Sequence, residues 1–194
     1  MDKRDVANEA VVRPNWYMWV GEQGFTKKEC LNIVKKAQDY PEKEADIFNE
    51  TIEVPSVRRS SIRWMNDPEI GSVLWEYVQA GAKLFDIDVE DWCDIQYTEY
   101  FSSNRGKYDV HHDVNWTSNA ERDRKISIVV QLSDPKDYEG GKFTFDEVQN
   151  PDQEQLQQRG SILVFPSYLR HSVSPVTAGV RRTLVSWFEG PRWR

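Results

Sequence analysis

The sequence has no excess of basic residues and contains little cysteine. It has 25 Lys and Arg against 32 Asp and Glu, which gives a net charge of −7 and a pI near 5.1. A uniformly basic surface for nucleic acid is therefore excluded. The only two cysteines, Cys30 and Cys93, are too far apart for a zinc motif and too few for a disulfide framework. We expect a reduced, intracellular protein.

Long apolar runs are also absent. No stretch approaches the roughly 20 apolar residues that a membrane-spanning helix needs. The N-terminal residues MDKRDVANEAVV lack the apolar core of a signal peptide. These absences predict a protein located in the cytoplasm, with no membrane partner.

The composition is that of a globular protein. Aromatic residues make up 12% of the 194 residues, and a chain of this length can bury a sizeable core in one domain. We expect a single domain over residues 1–194. Residues 1–90 are predicted to form a helical region with supporting strands, and residues 91–191 are predicted to form the core of the fold.

Two amphipathic helices are predicted in the first part of the chain. In GFTKKECLNIVKKAQDY, Thr26 is the expected N-cap and Glu29 follows three residues later, which is the capping-box pattern. In NDPEIGSVLWEYVQAGAKLF, Asp67 is the expected cap and Pro68 begins the first turn. The apolar stripes expected to pack on the core are Cys30, Ile33, Val34 and Ala37 in the first helix and Ile70, Val73, Leu74, Tyr77 and Val78 in the second.

From about residue 92 the sequence changes to short segments rich in β-branched and aromatic residues. Turn signals such as SSNRG, DYEGG and TAG separate them. Seven or eight strands over about 100 residues indicate a two-sheet jelly roll, also called a double-stranded β-helix. With the N-terminal helices packed on one sheet, the predicted fold class is α+β.

The three histidines of the chain gather around one aspartate. His111 and His112 directly precede Asp113, and His171 lies 58 positions after that aspartate. Residues i and i+2 of a strand face the same side, so His111 and Asp113 are expected to project together while His112 points away. If the jelly roll brings His171 opposite, these side chains form the facial triad of non-haem Fe(II) oxygenases. From spacing alone, a zinc site and a hydrogen-bonded surface turn remain open.

The segment HSVSPVTAGVRRTLVSW makes the pattern specific. It resembles the C-terminal motif of the 2-oxoglutarate- and Fe(II)-dependent oxygenases, in the prolyl 4-hydroxylase-like branch. In that motif a His is followed by Pro-Val, a Gly, a basic residue ten positions after the His, and a Trp. Upstream, the branch has a Tyr, a Gly-containing turn, a second Tyr and H-x-D, and then a Gly-Gly hairpin. Over residues 95–190 the matching positions are Tyr100, Tyr108, His111, Asp113, Gly140, Gly141, His171, Pro175, Val176, Gly179, Arg181 and Trp187.

The resemblance implies a role for each of these side chains. His111, Asp113 and His171 are expected to bind Fe(II). Arg181 is expected to pair with the far carboxylate of 2-oxoglutarate, because its planar fork suits a carboxylate. Tyr100 is expected to support the same carboxylate, and Tyr108 to line the pocket near metal and substrate.

Two departures from the family pattern affect these roles. The turn between the two tyrosines is a residue or so longer than the common form, which leaves Tyr97 as a rival to Tyr100. The basic residue is Arg181, where collagen-type prolyl hydroxylases usually have Lys. Its neighbour Arg182 is expected to face the opposite side of the strand.

The activity that the resemblance implies is that of a dioxygenase. O₂ and 2-oxoglutarate would be consumed, succinate and CO₂ formed, and an unactivated C–H bond hydroxylated, with ascorbate as the reductant. A peptidyl proline is the closest substrate analogy. A free amino acid, another protein side chain and a small metabolite are alternatives. A cupin-type metal enzyme and a non-catalytic jelly-roll binding module are further rivals, which the histidine count and Arg181 disfavour.

Other residues are weaker candidates for contacts with the substrate. Asn115 and Trp116 follow the H-x-D motif. Arg58, with Arg59 and Arg63, lies in IEVPSVRRSSIRWM, an extra strand or a lid. These arginines either grip an acidic substrate or form a solvated strand edge, and the second interpretation is the simpler one. The charged segment 116–125 is either a closing loop or plain surface.

Overall fold

The computed structural model of the chain describes residues 16–21, 24–45, 54–91 and 93–194, and the N-terminal segment MDKRDVANEAVV, predicted not to be a signal peptide, lies outside them. The helices are α1 (Lys27–Ala37), α2 (Val54–Val57), α3 (Pro68–Phe85) and α4 (Gln153–Leu156). The strands are β1 (Met18–Val20), β2 (Lys43–Glu44), β3 (Arg58–Arg59), β4 (Ser61–Met65), β5 (Cys93–Phe101), β6 (Lys107–His111), β7 (Arg122–Gln131), β8 (Tyr138–Gly140), β9 (Phe143–Phe145), β10 (Ile162–Pro166), β11 (His171–Val173) and β12 (Val176–Pro191).

The strands form two sheets. The major sheet has the order β1-β10-β7-β12-β5-β4-β2, and β8 pairs with β12 beside this path. The minor sheet has the order β3-β6-β11-β9. The strands predicted after residue 92 are β5 to β12 except β8, whose residues were predicted as a turn. The predicted α+β jelly roll is confirmed.

The two faces of the major sheet differ in what they bury. Along β7, Ile126, Ile128 and Val130 belong to the hydrophobic core that includes buried residues of α1 and α3. The alternate residues Ser127 and Gln131 face the minor sheet and are polar and buried. The helices therefore cover one face of the sheet, and the space between the sheets is left for a polar site.

Both long helices begin where the sequence predicts. The Thr26 hydroxyl accepts a hydrogen bond from the Glu29 amide, and the Glu29 carboxylate accepts one from the Thr26 amide, so the capping box is formed. Asp67 caps α3 by accepting from the Ile70 amide. One stripe residue is a wrong prediction, because Val73 is 43% exposed. The core contacts of α3 continue instead through Gly81 and Ala82.

Two predictions about turns and strands needed correction. The segment DYEGG is not only a turn, because Tyr138–Gly140 pairs with β12. The segment HSVSPV, one of the β-rich segments after residue 92, is not a single strand. It contains β11 and the first residue of β12, which runs unbroken to Pro191 and includes the predicted turn TAG. The extra strand predicted around Arg58 is confirmed: after α2 the segment forms β3 in the minor sheet and β4 in the major sheet.

The outer edge of β9 is covered by side chains. The Phe145 amide donates to Asn150 Oδ1, and Asn150 Nδ2 donates back to the Phe145 carbonyl. Gln153 Nε2 donates to the Phe143 carbonyl at 3.0 Å. The Phe145 amide and the carbonyls of Phe143 and Phe145, which β9 turns away from β11, therefore have partners within the chain.

Cys30 and Cys93 are both free thiols. Burial raises the pKa of Cys30 to about 11, so this thiol is protonated at neutral pH. Among the described residues, no helix is both long enough and apolar enough to cross a membrane.

Candidate metal centre

A cavity lies between the two sheets and is lined from both. Residues of β5, β7 and β12 form one wall, and residues of β3, β6, β9 and β11 form the other. The lining side chains are Arg58, Gln96, Tyr100, Tyr108, His111, Asp113, Val129, Phe143, His171, Val173, Arg181, Thr183, Val185 and Trp187.

His111, Asp113 and His171 converge in this cavity. Their ligand atoms all lie within 4.8 Å of one another, and no other such cluster occurs in the ranges that the structure describes. The distance from His111 Nε2 to Asp113 Oδ1 is 3.7 Å, and that from His171 Nε2 to Asp113 Oδ2 is 3.6 Å. The strand pairing produces this arrangement, because His111 and His171 are opposite each other across β6 and β11.

An irregularity in β6 brings Tyr108 to the same cavity. His111 pairs with His171 and Tyr108 pairs with Val173, so three steps along β6 match two along β11. A bulge of this kind adds one residue to a strand and turns the side chains beyond it. As a result, Tyr108 and His111 face the same side and stack, with ring centroids 3.4 Å apart. Regular alternation would have separated them.

The backbone orients both imidazoles. His111 Nδ1 lies 2.8 Å from the Asp109 carbonyl oxygen, and His171 Nδ1 lies 2.8 Å from the Leu169 carbonyl oxygen. A carbonyl only accepts hydrogen bonds, so each Nδ1 carries the proton and donates it. The Nε2 atoms of both rings are therefore directed at the cluster, as a metal ion requires.

The charges of the cluster also suit a cation. Burial and the neighbouring His171 lower the pKa of His111 to about 3, so this ring is neutral at pH 7. Burial acts to raise the pKa of Asp113, but His171 and the hydrogen bond from Ser127 more than offset it, and the pKa lies below its usual value. One carboxylate and two imidazoles form a donor set that fits a divalent transition metal.

Arg181 lies in the same cavity and is only 5% exposed. It is opposite Tyr100 in the pairing of β12 with β5, and its guanidinium carbon is 5.7 Å from the centre of the Tyr100 ring. Among the described residues it has no ion-pair partner, and its Nε has no hydrogen-bond acceptor. A buried cation without an anion is costly. The site therefore fits a ligand that carries a carboxylate.

The structure also distinguishes Tyr100 from Tyr97. Tyr97 is fully buried in the core beneath the helices, on the outer face of β5. Tyr100, three residues later, lies on the inner face and lines the cavity. Arg182 lies on the outer face as expected, where its Nε donates to Glu99 Oε1 at 2.9 Å.

Sequence reasoning missed the residues that surround the Arg181 side chain. The Tyr138 hydroxyl accepts a hydrogen bond from Gln131 Nε2 at 3.0 Å. Burial raises the pKa of Tyr138, and the adjacent Arg181 acts against this rise. Gly141, at φ +58°, leaves room for the arginine, because a Cβ there would lie 2.8 Å from Arg181 Cδ. The two adjacent glycines indicate this turn in the sequence. Nothing in the sequence indicates that Gln131 is the hydrogen-bond partner of Tyr138.

Arg58 corrects the prediction of a solvated strand edge. It is 7% exposed and lines the cavity. Its Nη2 donates to Gln96 Oε1 at 2.7 Å and its Nε to Ser60 Oγ at 3.0 Å. Its guanidinium carbon lies 4.5 Å from the centre of the Tyr108 ring. The bonded network fixes Arg58 as part of the cavity wall.

The residues that follow the H-x-D motif lie outside the cavity lining. Asn115 Oδ1 accepts hydrogen bonds from the amide and hydroxyl of Thr117. Trp116 is 51% exposed. The centroids of its ring and the His112 ring are 5.8 Å apart, and the two rings are packed edge to face. The charged segment 116–125 is not one loop, because β7 begins at Arg122.

Comparison with known proteins agrees with this geometry. A sequence profile of the 2OG-Fe(II) oxygenase superfamily matches residues 95–189. A PKHD-type hydroxylase of Prochlorococcus marinus is 36% identical over 88 residues, which cover 45% of this chain and 38% of that protein. Another, from Synechococcus sp., is 38% identical over 82 residues, which cover 42% of this chain and 36% of that protein. The aligned region thus spans less than two-fifths of either relative.

Solved structures share the fold at low sequence identity. A prolyl-4-hydroxylase of Pseudomonas putida aligns with a TM-score of 0.68 at 19% identity and covers 92% of this chain and 94% of its own. A prolyl hydroxylase of Trichoplax adhaerens, solved with a hypoxia inducible factor peptide fragment, gives 0.68 at 16% identity, covering 90% of this chain and 84% of its own.

Proposed function

This chain belongs to the 2OG-Fe(II) oxygenase superfamily, and we propose that it is an Fe(II)- and 2-oxoglutarate-dependent hydroxylase that acts on a prolyl residue of a peptide or protein. One observation carries the proposal. A cluster of two imidazoles and one carboxylate shares a cavity with a buried arginine that has no ion-pair partner among the described residues.

His111, Asp113 and His171 would hold the iron. Because each imidazole donates its Nδ1 proton to a backbone carbonyl, both rings present Nε2 without rearrangement. When bound, the iron supplies the oxidative chemistry, in which O₂ and 2-oxoglutarate yield succinate, CO₂ and a hydroxylated substrate. The protein supplies no general base to this reaction and needs none.

Arg181 and Tyr100 would bind the far carboxylate of 2-oxoglutarate. Arg181 offers charge-assisted hydrogen bonds inside a buried site, where such bonds are strong. Tyr138, held by Gln131, restricts the position of the guanidinium. Val129 and Val185 give the cavity apolar walls, which favour a ligand of defined shape over bulk water.

Tyr108, Arg58, Asn115 and Trp116 are the proposed substrate contacts. Tyr108 stacks on a metal-binding imidazole, and Arg58 lies over the same tyrosine ring. Trp116 presents an exposed indole near His112. An aromatic and cationic surface of this kind suits a peptide carbonyl and the ring of a proline. The names of two structural neighbours, a prolyl-4-hydroxylase and a prolyl hydroxylase, support the same substrate class.

The experiment that tests the proposal is an assay of succinate formation. Purified protein is supplied with Fe(II), 2-oxoglutarate and ascorbate under air, with and without a panel of proline-containing peptides. Mass spectrometry of the peptides detects the gain of one oxygen atom. Free proline and unrelated metabolites are included, because they distinguish the alternative substrate classes. Omission of ascorbate tests its proposed role as the reductant.

Peptide-dependent succinate release, absent in His111→Ala and Arg181→Ala, is the expected result. Hydroxylation of free amino acids alone would replace the peptidyl substrate with a small one. No succinate release, together with no binding of 2-oxoglutarate to the metal-loaded protein, would contradict the proposal and favour a cupin-type enzyme or a binding module. The cytoplasmic location stays a prediction.

A further inference from the structure

Two buried serines lie directly behind Asp113. Ser127, on β7, and Ser167, in the turn after β10, are both 0% exposed. Ser127 Oγ is 2.6 Å from Asp113 Oδ2 and 2.9 Å from Ser167 Oγ. The first distance falls in the range of charge-assisted O–H···O⁻ hydrogen bonds. The three side chains therefore form a continuous chain of hydrogen bonds that ends on the carboxylate.

The direction of these hydrogen bonds follows from the number of protons. An ionised carboxylate only accepts, so the single hydroxyl proton of Ser127 goes to Asp113. Ser127 then has only lone pairs to offer Ser167, and Ser167 must be the donor. The order is Ser167 to Ser127 to Asp113, which engages Oδ2 and leaves Oδ1 without this contact.

The backbone fixes the same group of residues. The Asp113 amide donates to the Ser167 carbonyl at 2.9 Å, and the Ser167 amide donates to the Lys125 carbonyl at 3.0 Å. Ser127 lies between two paired strands, opposite Phe165 on β10 and Trp187 on β12. Asp113 itself lies two residues after His111, the last residue of β6, so the strand pairing of β6 does not fix its position. The serines supply the support that the strand does not.

We propose that Ser127 and Ser167 are positioning residues of the metal centre, which hold Asp113 so that it offers Oδ1 to the metal while Oδ2 stays engaged. The inference rests on the proposed function for its metal site. A carboxylate that bound the metal through both oxygens would leave less of the ion free for 2-oxoglutarate and O₂. The hydrogen bond from Ser127 would keep Asp113 Oδ2 away from the ion.

The test measures binding of Co(II) alone to the metal-free protein, without cosubstrate or O₂. Ser127→Ala and Ser167→Ala each remove one hydroxyl, and Ser127→Thr keeps it. Ser186→Ala is the matched control, because Ser186 is also fully buried on a central strand but donates to the Asp94 carbonyl on the outer face. Thermal unfolding of every variant shows how much each substitution affects the fold itself.

Ser127→Ala and Ser167→Ala are expected to weaken Co(II) binding by about 10- to 100-fold, the usual effect of removing a partner of a metal ligand. Ser186→Ala is expected to leave Co(II) affinity unchanged, and Ser127→Thr to restore it. A Ser127→Ala protein with wild-type affinity, or an equal loss in Ser186→Ala, would overturn the assignment.

A second measurement on the Co(II)-loaded proteins separates this inference from the proposed function. Binding of 2-oxoglutarate is expected to weaken in Ser127→Ala, since a carboxylate released from Ser127 competes for the positions of the chelate. Wild-type protein that binds Co(II) but no 2-oxoglutarate would refute the proposed function, and the Co(II) affinities would still decide the role of the serines. Wild-type protein that binds no Co(II) would overturn both.

Discussion

Arg181 and Arg182 are adjacent in the sequence and lie on opposite faces of β12. Arg181 enters the cavity without an ion-pair partner among the described residues, whereas Arg182 donates to Glu99 at 2.9 Å on the outer face. The pair is a natural internal control, because the two guanidiniums differ in surroundings and not in chemistry.

Arg181→Ala is expected to weaken 2-oxoglutarate binding by about 3 kcal/mol, or roughly 100-fold, as loss of one partner of a buried ion pair does. Arg182→Ala is expected to leave this affinity unchanged and to affect only stability. Calorimetric titration of each metal-loaded variant with 2-oxoglutarate measures the difference. Equal affinities in the two variants would remove Arg181 from the cosubstrate site.

His111→Ala is expected to reduce metal affinity by more than roughly 100-fold. Loss of a residue that only hydrogen-bonds to a metal ligand already costs up to about that much. Loss of this ring removes an oriented Nε2 donor from the cluster. His112→Ala is the control, since the His112 ring packs on Trp116 and is not part of the cluster. Competition with a chelator measures both affinities, and a metal affinity lost equally in the two variants would refute the assignment of ligands.

Gly141→Ala is expected to weaken 2-oxoglutarate binding, because the new Cβ would press on Arg181 Cδ at 2.8 Å. The left-handed backbone at φ +58° adds a stability cost of about 1 kcal/mol for a residue with a side chain. Gly71→Ala is the comparison, since its Cβ meets Cys93 Sγ at an ordinary 3.6 Å within α3. There the change is expected to stabilise the protein by up to about 1 kcal/mol. Urea unfolding and cosubstrate titration together test the contrast.

Thr26→Ala is expected to lower the free energy of unfolding by about 1 kcal/mol at pH 7, through loss of the capping box. The hydrogen bonds from Thr26 lower the pKa of Glu29 in the folded protein. The stabilisation is therefore complete above the pKa of Glu29 in the unfolded chain and is lost as the pH falls through the lower, folded value. Urea unfolding of both proteins at neutral and acid pH is expected to show a smaller difference in acid. A constant difference would mean that Glu29 does not contribute.

Leu74→Ala and Val73→Ala test the corrected face of α3. Leu74 is fully buried against the major sheet, and its truncation is expected to cost about 2–5 kcal/mol. Val73 is 43% exposed, so its truncation is expected to stay within about 0.5 kcal/mol. Chemical unfolding of both variants compares two neighbouring apolar residues, and similar losses would contradict the helix orientation.

The sequence predicts those features that depend on local chemistry. Caps, apolar periodicity and turn residues specify α1 and α3, because capping and amphipathicity act within a few residues. Alternation along β12 correctly separates Arg181 from Arg182. Val73 was predicted wrongly because the apolar stripe of a helix does not indicate which of its residues the sheet will cover.

Features that depend on strand pairing were beyond prediction. From the sequence alone, Arg58 resembles a charged residue on an exposed strand edge. In the structure β3 pairs with β6, and the Arg58 guanidinium donates to Gln96 and Ser60. Ser127 and Ser167 carry no signature, because serines are common both in apolar strands and in turns. The bulge before His111 leaves no mark in the sequence, yet it determines that Tyr108 faces the metal site.

The covered edge of β9 has a consequence for how this protein associates. An open strand edge invites another chain to extend the sheet, which leads to edge-to-edge aggregation and fibres. Asn150 and Gln153 occupy the Phe145 amide and the carbonyls of Phe143 and Phe145, three groups that such an incoming strand would use. Because β9 is the neighbour of β11, which carries His171, the same two side chains protect the strand of a metal ligand from being drawn into intermolecular pairing.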